Sequence, residues 1–442
     1  MAGHVRDTTP ELASLAASGR SYTSCFSHDI WTRSATASIL TGHAPSAHQT
    51  WSHSTKLPDG IETIPKAFDE NGFRTVGISS NPQLGPATGL DRGFRDFHYF
   101  DRSTMIEEPG IISFIRWLGN IRSHSGGLTL DTEKHCTGFF LNEIAKEYID
   151  TTADSGDSLF LYLHHGDSHH AYIPPVTWRR RYAEEMEMSV ESAVRLASEM
   201  SDNLHEYISR NTSFTDAEWQ ALNVLYDAAI SYVDSLTGSL IRYAKQRLND
   251  PIVVVTGDHG ELFGEQGLLA HMLTTHTAVT NVPLVIEGLS DLPGDGLIQH
   301  ADVMKMLCNE LDIEHPVPAG QDPRKEKREV AVCQRSGDRA EKKLDKIRTY
   351  NSEFSDEEFP PSDLTSVRTE QWRFERSAGH SQLYRVPEET PVCGDEYTEV
   401  VSRLDEQMSE WLHEVGEAIG DVGTAEFDEA TRSRLRDLGY IQ

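Results

Sequence analysis

The sequence predicts an α/β protein with a mostly parallel central sheet flanked by helices, followed by a smaller C-terminal antiparallel α+β subdomain. Three observations carry that prediction. Ile252-Val253-Val254-Val255 is an uninterrupted β-branched run, as expected of a strand buried on both faces of a parallel sheet. Leu159-Phe160-Leu161-Tyr162-Leu163 is a second apolar run, and both runs end abruptly in loops rich in ionisable residues. From about residue 316 onward, short strands alternate with polar turns. The expected division is therefore 1–315 and 316–442.

Composition bounds the function. A chain of 442 residues with 38% apolar content supports one large α/β domain and a smaller one. Seventy acidic residues against 40 basic give a net charge of −30. Such a chain repels phosphate backbones and anionic membranes, so no nucleic-acid partner is expected. The acidity is spread along the chain, as in a solvated surface working at high salt. Five scattered cysteines (25, 136, 308, 333 and 393) form no Cys-x-x-Cys pair. A reducing, cytoplasmic setting is the default for the sequence as it stands. No signal peptide is visible, and no apolar run reaches the ~18 residues that span a bilayer.

The elements follow in order. Asp7-Thr8-Thr9-Pro10-Glu11 opens a helix that carries Leu12, Leu15 and Ala16 on one face. Trp31 to Gly42 reads as a polar helix start with Thr32 at its cap. A helix over 64–71 ends at Gly72, a strand follows over 74–80, and Asn81-Pro82 turns the chain. Leu90 to Phe97 reads as a packed loop with an internal Asp–Arg pair. A helix is expected over 132–149. The stretch 175–211 reads as a helical lid or surface arm. Thr215-Asp216-Ala217-Glu218 is a capping box for a helix presenting Leu222, Leu225, Ala229, Tyr232, Val233, Leu236 and Leu240. A returning strand covers 282–286, and a helix covers 301–311. A charged linker covers 321–329. Strands are expected at 330–333, 367–375 and 382–386, with an acidic loop over 351–363 and a terminal helix over 399–419.

The chemistry gathers at the strand ends, where open α/β sheets place their ligands. After Val255 comes Thr256-Gly257-Asp258-His259-Gly260-Glu261. Asp258 and His259 are hard-to-borderline metal ligands, and the glycines let the backbone turn around an ion. His271 follows twelve residues later. After Leu163 come His164, His165, Asp167, His169 and His170 within seven residues. Imidazoles there can bind ester oxygens, protonate a leaving group or ligate metal.

Three stretches in this order resemble the sulfatase and alkaline-phosphatase superfamily. They are Asp258-His259-Gly260-Glu261, the His164-x-x-Asp167-x-His169-x-Ala171-Tyr172 run, and Thr32 to Thr41-Gly42. Pro is usual at position 171 of that run, where this chain has Ala. In the nucleophile segment Ser38, Thr41 and Gly42 match, whereas Ser34 and Thr36 stand where Pro and Arg are usual. The nucleophile position falls on Thr32, which cannot become formylglycine. The resemblance further implies a first buried strand ending in a metal-binding aspartate, and no such strand is seen in the sequence. That points to a start upstream of Met1 or, failing that, to a lost strand and ligand.

The resemblance implies Thr32, His169 and His271 as catalytic residues. It implies His164 and Asp167 as substrate contacts, and Asp258 and His259 as ligands of one divalent cation, Ca²⁺, Mg²⁺ or Mn²⁺. The expected substrate is a small anionic ester. Family membership suggests a sulfate ester, whereas a threonine nucleophile suits phosphoryl groups. A phosphoglycerol- or phosphoethanolamine-type transferase, or a non-catalytic sulfatase-like protein, are the alternatives.

Overall fold

Residues 4–100, 110–126, 135–429, 431–432 and 435 are described in the structure, a computed structural model. Pro10 at its first turn starts α1 (Pro10–Ser18), which buries Leu12 and Leu15 against Val285. Then follow β1 (Arg20–Phe26), α2 (Thr32–Thr41), α3 (Ile64–Glu70), β2 (Phe73–Ser79) and β3 (Asp96–Tyr99). Next come α4 (Gly138–Ser155), β4 (Ser158–His164), α5 (Val190–Asp202), α6 (Leu204–Ser209) and α7 (Asp216–Arg247). The chain continues through β5 (Val253–Thr256), β6 (Asn281–Glu287), β7 (Ile298–Gln299) and α8 (His300–Glu310). It closes with β8 (Ala331–Arg335), α9 (Gly337–Tyr350), β9 (Leu364–Arg368), β10 (Trp372–Ser377), β11 (His380–Arg385), β12 (Thr390–Val392) and α10 (Thr398–Val415).

The α/β class holds, but the strands near the site form two sheets. One is mixed, in the order β7-β1-β6-β5, with β6 antiparallel to both β1 and β5. The other is parallel, in the order β3-β2-β4. The parallel character expected of the whole centre therefore belongs to the second sheet. β4 and β5 each lie at an edge, so their apolar side chains are half-buried rather than covered on both faces. The site loops leave from these two edges.

The C-terminal part carries a five-stranded antiparallel meander, β8 to β12 in sequence order. The single strand expected over 367–375 is two strands, because Thr369 and Gln371 turn the chain between β9 and β10. The helix α9 lies between β8 and β9 in sequence and is not among the expected elements.

Other expectations are corrected by packing. The 175–211 stretch is not a surface arm: Ala193, Val194, Leu196, Ala197, Met200, Leu204 and Ile208 are buried in one core with Leu225, Leu344 and Ile347. The helix expected from 132 begins at Gly138, and residues 132–134 lie outside the described ones. In the 90–97 loop Arg92 reaches outward to the carbonyls of Pro58 and Ile61, and Arg95 bonds Asp69, instead of an internal pair. The 321–329 linker is pinned: buried Arg328 pairs with Asp302, and Arg324 pairs with Asp322 and Glu310. The capping box at Thr215 and Glu218 forms as expected and starts the 32-residue α7. Of its predicted face, Val233 is half-buried and the other six are buried. Among the described residues no helix is long and apolar enough to cross a membrane.

Candidate active site

Two strand ends and one helix start build the site. β1 delivers the chain to Trp31, the extended cap of α2, so that Thr32 is the helix's first residue. All ten residues of α2 are buried, so a rigid element presents the Thr32 hydroxyl. The edge strand β5 ends at Thr256 and presents Asp258 and His259. A tight loop holds them: a Cβ on Gly260 would stand 2.2 Å from the Ala278 carbonyl oxygen. His300, at the start of α8, bonds the Gly257 carbonyl at 2.8 Å from behind.

Thr32 Oγ1 lies 3.1 Å from His259 Nε2, although the two residues are 227 apart in sequence. His259 Nδ1 sits 2.9 Å from the Gly260 carbonyl. A carbonyl can only accept, so Nδ1 carries the proton and the lone pair of the neutral ring is at Nε2. Asp258 Oδ2 is 3.6 Å from the same Nε2, is buried, and has no hydrogen-bond partner. A buried carboxylate oxygen without a donor, beside an imidazole lone pair and a hydroxyl, is a donor set that fits a divalent cation. Burial works to raise the Asp258 pKa, but His259, His164, the Thr32 hydroxyl and the His259 amide outweigh it, and the net is a fall to about 2.

The opposite wall comes from β4 and its loop. His164, His165, Asp167 and His169 line one cavity of about 130 Å³ together with Thr32, Asp258, His259 and Glu261. Asp167 has a structural task there. It accepts hydrogen bonds from the Thr137 and Gly138 amides, at 2.9 and 2.7 Å, and so caps α4 from a distance. Gly138 permits the approach, since a Cβ would meet Asp167 Oδ2 at 2.4 Å. Burial lowers the pKa of His169 to about 4 and also lowers that of His164, so both rings favour the neutral form. His271 is buried and is not among the cavity-lining residues. It stands behind the wall, its ring centre 4.5 Å from that of His259 and 5.6 Å from that of His169. Burial holds its pKa well below the ordinary imidazole value.

Three wall residues, Ser80, Asn81 and Thr137, lie outside the motifs of the sequence, whereas Glu261 closes the Asp258-His259-Gly260-Glu261 motif. Ser80 and Asn81 sit at the C-terminal end of β2, and Thr137 bonds Ser80 at 2.8 Å. The turn signal at Asn81-Pro82 marks the place but not the role. Glu261 accepts from the Tyr172 hydroxyl at 2.7 Å, and burial raises its carboxyl to about 8.

The Sulfatase family model matches residues 1–307, and the chain belongs to that family. It is 20% identical over 317 residues to the uncharacterized sulfatase YidJ of Escherichia coli (strain K12), a match covering 70% of this chain and 64% of that protein. Its fold is similar to that of the phosphonate monoester hydrolase of Agrobacterium radiobacter, with a TM-score of 0.69 at 17% identity, covering 93% and 92% of the two chains. It is also similar to a protein solved in complex with its substrate D-glucosamine-2-N,6-O-disulfate, with a TM-score of 0.60 at 15% identity, covering 92% and 93%.

Proposed function

We propose that the protein is a hydrolase of a small anionic ester, metal-dependent, with Thr32 as its nucleophile. The observation that supports this best is the meeting of Thr32 Oγ1 with His259 Nε2 at 3.1 Å beside the unbonded oxygen of Asp258. In this reading residues 1–315 form the catalytic domain and 316–442 a supporting subdomain. Asp258 and His259 would hold one Ca²⁺, Mg²⁺ or Mn²⁺, whose chemistry is to polarise the ester and lower the pKa of a nearby hydroxyl.

The chain's own residues do the rest. Thr32 Oγ1 gives up its proton to solvent and attacks the phosphorus or sulfur, the bond to the leaving oxygen breaks as the threonine ester forms, and the water that later cleaves that ester returns a proton to Oγ1. His164 and His169 donate hydrogen bonds to the ester's outer oxygens from the opposite wall. Burial favours the neutral form of both rings, and an entering anion favours their protonated forms, which then supply a proton to the leaving oxygen. His271 fixes the rings of His169 and His259 from behind, and Asp167 fixes the loop. Water then attacks the threonine ester and restores the hydroxyl. The substrate class is a sulfate or phosphate ester. Threonine chemistry favours phosphoryl, and the likeness to a phosphonate monoester hydrolase and to a sulfated-sugar complex keeps both classes in the assay.

The test is hydrolysis of aryl phosphate, phosphodiester, phosphonate and sulfate esters with added Mn²⁺ or Ca²⁺. Thr32→Ala is expected to lose about 10³-fold or more in kcat. Asp258→Asn is expected to lose activity and its response to the cation together. Equal turnover by wild type and Thr32→Ala removes the nucleophile assignment.

A further inference from the structure

Beside the Asp258–His259 pair stands a second group of potential ligands. His169 and His170 come from the loop after β4, and His271 comes from the loop after β5. One ligating nitrogen from each ring falls within 4.8 Å of the other two. His170 and His271 are buried, at 6% and 4% exposure, and His169 is half-buried. We propose that His169, His170 and His271 form a second metal site, selective for a zinc-class ion and distinct from the hard-cation site at Asp258 and His259.

The set of donors decides the class of ion. Three imidazoles without a carboxylate suit Zn²⁺, Co²⁺ or Ni²⁺ and are poor ligands for Ca²⁺ or Mg²⁺, which seek oxygen. Zinc–nitrogen bonds of ~2.0–2.1 Å in tetrahedral geometry place ligating nitrogens about 3.4 Å apart. The three nitrogens, now within 4.8 Å of one another, would draw together to that size around the ion. Three protein ligands leave a fourth position open, as in sites that take water or substrate oxygen.

The surroundings orient these rings as metal-bound imidazoles are oriented. His169 Nδ1 donates to the His170 carbonyl at 2.6 Å, which puts the lone pair of a neutral ring at Nε2. His170 Nδ1 lies 3.0 Å from the Ser201 hydroxyl of α5. Lys343 of α9 donates to the His271 carbonyl at 3.3 Å, and Arg335 of β8 donates to that of Leu273 at 2.8 Å. The helical insert and the C-terminal part therefore both brace the group. The hard-cation site is adjacent, since the rings of His259 and His271 are 4.5 Å apart. The inference stands without the Thr32 reading, and where the ion is bound His169 Nε2 is its ligand, so that proton donation to the leaving oxygen falls to His164 alone.

The test loads the metal-stripped full chain with Co²⁺ and records its visible spectrum. A single equivalent should give the intense absorption of tetrahedral cobalt. That band should persist in Asp258→Asn and collapse in His170→Gln. Zinc K-edge X-ray absorption of the zinc-loaded wild type should count three imidazoles, which decides the matter even where His170→Gln fails to fold. A weak octahedral spectrum, a band indifferent to His170→Gln, or a band lost in Asp258→Asn overturns the second site. So does an absorption edge dominated by oxygen ligands. None of these results depends on ester turnover, so failure here and failure of the Thr32 mechanism are separable.

Discussion

The C-terminal meander and the surroundings of the cavity both bury ionisable residues, on opposite plans. In the C-terminal meander, Arg373 bonds Glu375 at 2.5 Å and Glu389 at 2.7 Å, and Arg368 pairs with Glu389 at 3.1 Å. Tyr384 donates to Glu375 at 2.9 Å. Burial pushes the Glu375 carboxyl up, but Arg373, His380 and Tyr384 outweigh it and the net is a fall to about 2. Around the cavity, compensation is incomplete. Asp29, three residues before Thr32 and outside the cavity lining, is fully buried, and Arg339, the Ser34 hydroxyl and the Ile30 and Trp31 amides only partly offset that burial. Burial raises it to about 7 against the opposing pull of Arg339. Glu261 goes up to about 8 and His169 down to about 4, each mainly by burial. Matched charges make a fixed scaffold, whereas unmatched ones sit where an anion and a cation are expected to complete them.

The scaffold is tied to the site. Arg373 donates to the Thr275 hydroxyl at 3.3 Å and Glu389 accepts from the Thr277 amide at 3.1 Å, just beyond His271. Arg373→Met strands two buried carboxylates and should cost about 3–5 kcal/mol in denaturant unfolding. The same variant sharpens the comparison in acid. Glu375 has a folded pKa below its unfolded one, so its stabilisation is present above about pH 4.5 and lost as pH falls toward about 2. That acid slope should flatten in Arg373→Met, and an unchanged slope breaks the paired-scaffold reading.

Asp29 should behave in the reverse sense. Its folded pKa is raised from 3.8 to about 7, so the folded state holds a proton that the unfolded state releases between those values. Its contribution is therefore greatest below about pH 4 and declines until about pH 7. The decline is on the order of 2–4 kcal/mol. Asp29→Asn should remove that slope and stabilise the protein at neutral pH. A pH profile identical to wild type contradicts the incomplete compensation argued for this region.

The smallest effect concerns the metal loop. His300→Phe removes the bond to the Gly257 carbonyl and should cost about 1–2 kcal/mol of stability. It should lower turnover about tenfold by loosening Asp258 and His259. A stability loss with unchanged turnover makes His300 merely structural.

How far the sequence could be read follows the same division. Apolar runs ending in ionisable loops are local signals, so β4, β5, β6 and the residues that follow them were legible. Thr32 is legible only through its spacing from Thr41-Gly42 in the resembled nucleophile segment. The insert over α5 and α6 was misread because its apolar positions (193, 194, 197 and 200) are spaced at helical intervals among charged residues. The helix α9 was missed for a related reason: Gly337 to Tyr350 carries four buried positions besides Gly337 among lysines and acids. The strand β5 reads as buried on both faces because a sequence pattern does not reveal a sheet edge. Asp29, His300 and Ser201 carry no motif, and their importance lies in partners far away along the chain.

The central claim is that Thr32 forms a covalent ester during turnover. The direct measurement is to quench the enzyme in acid during steady-state hydrolysis of an aryl phosphate or sulfate, and to weigh the peptide containing residue 32. A phosphoryl or sulfuryl adduct on Thr32, absent in the Thr32→Ala chain along with turnover, is the expected result. An unmodified Thr32 peptide, with Thr32→Ala turning over at the wild-type rate, contradicts the account.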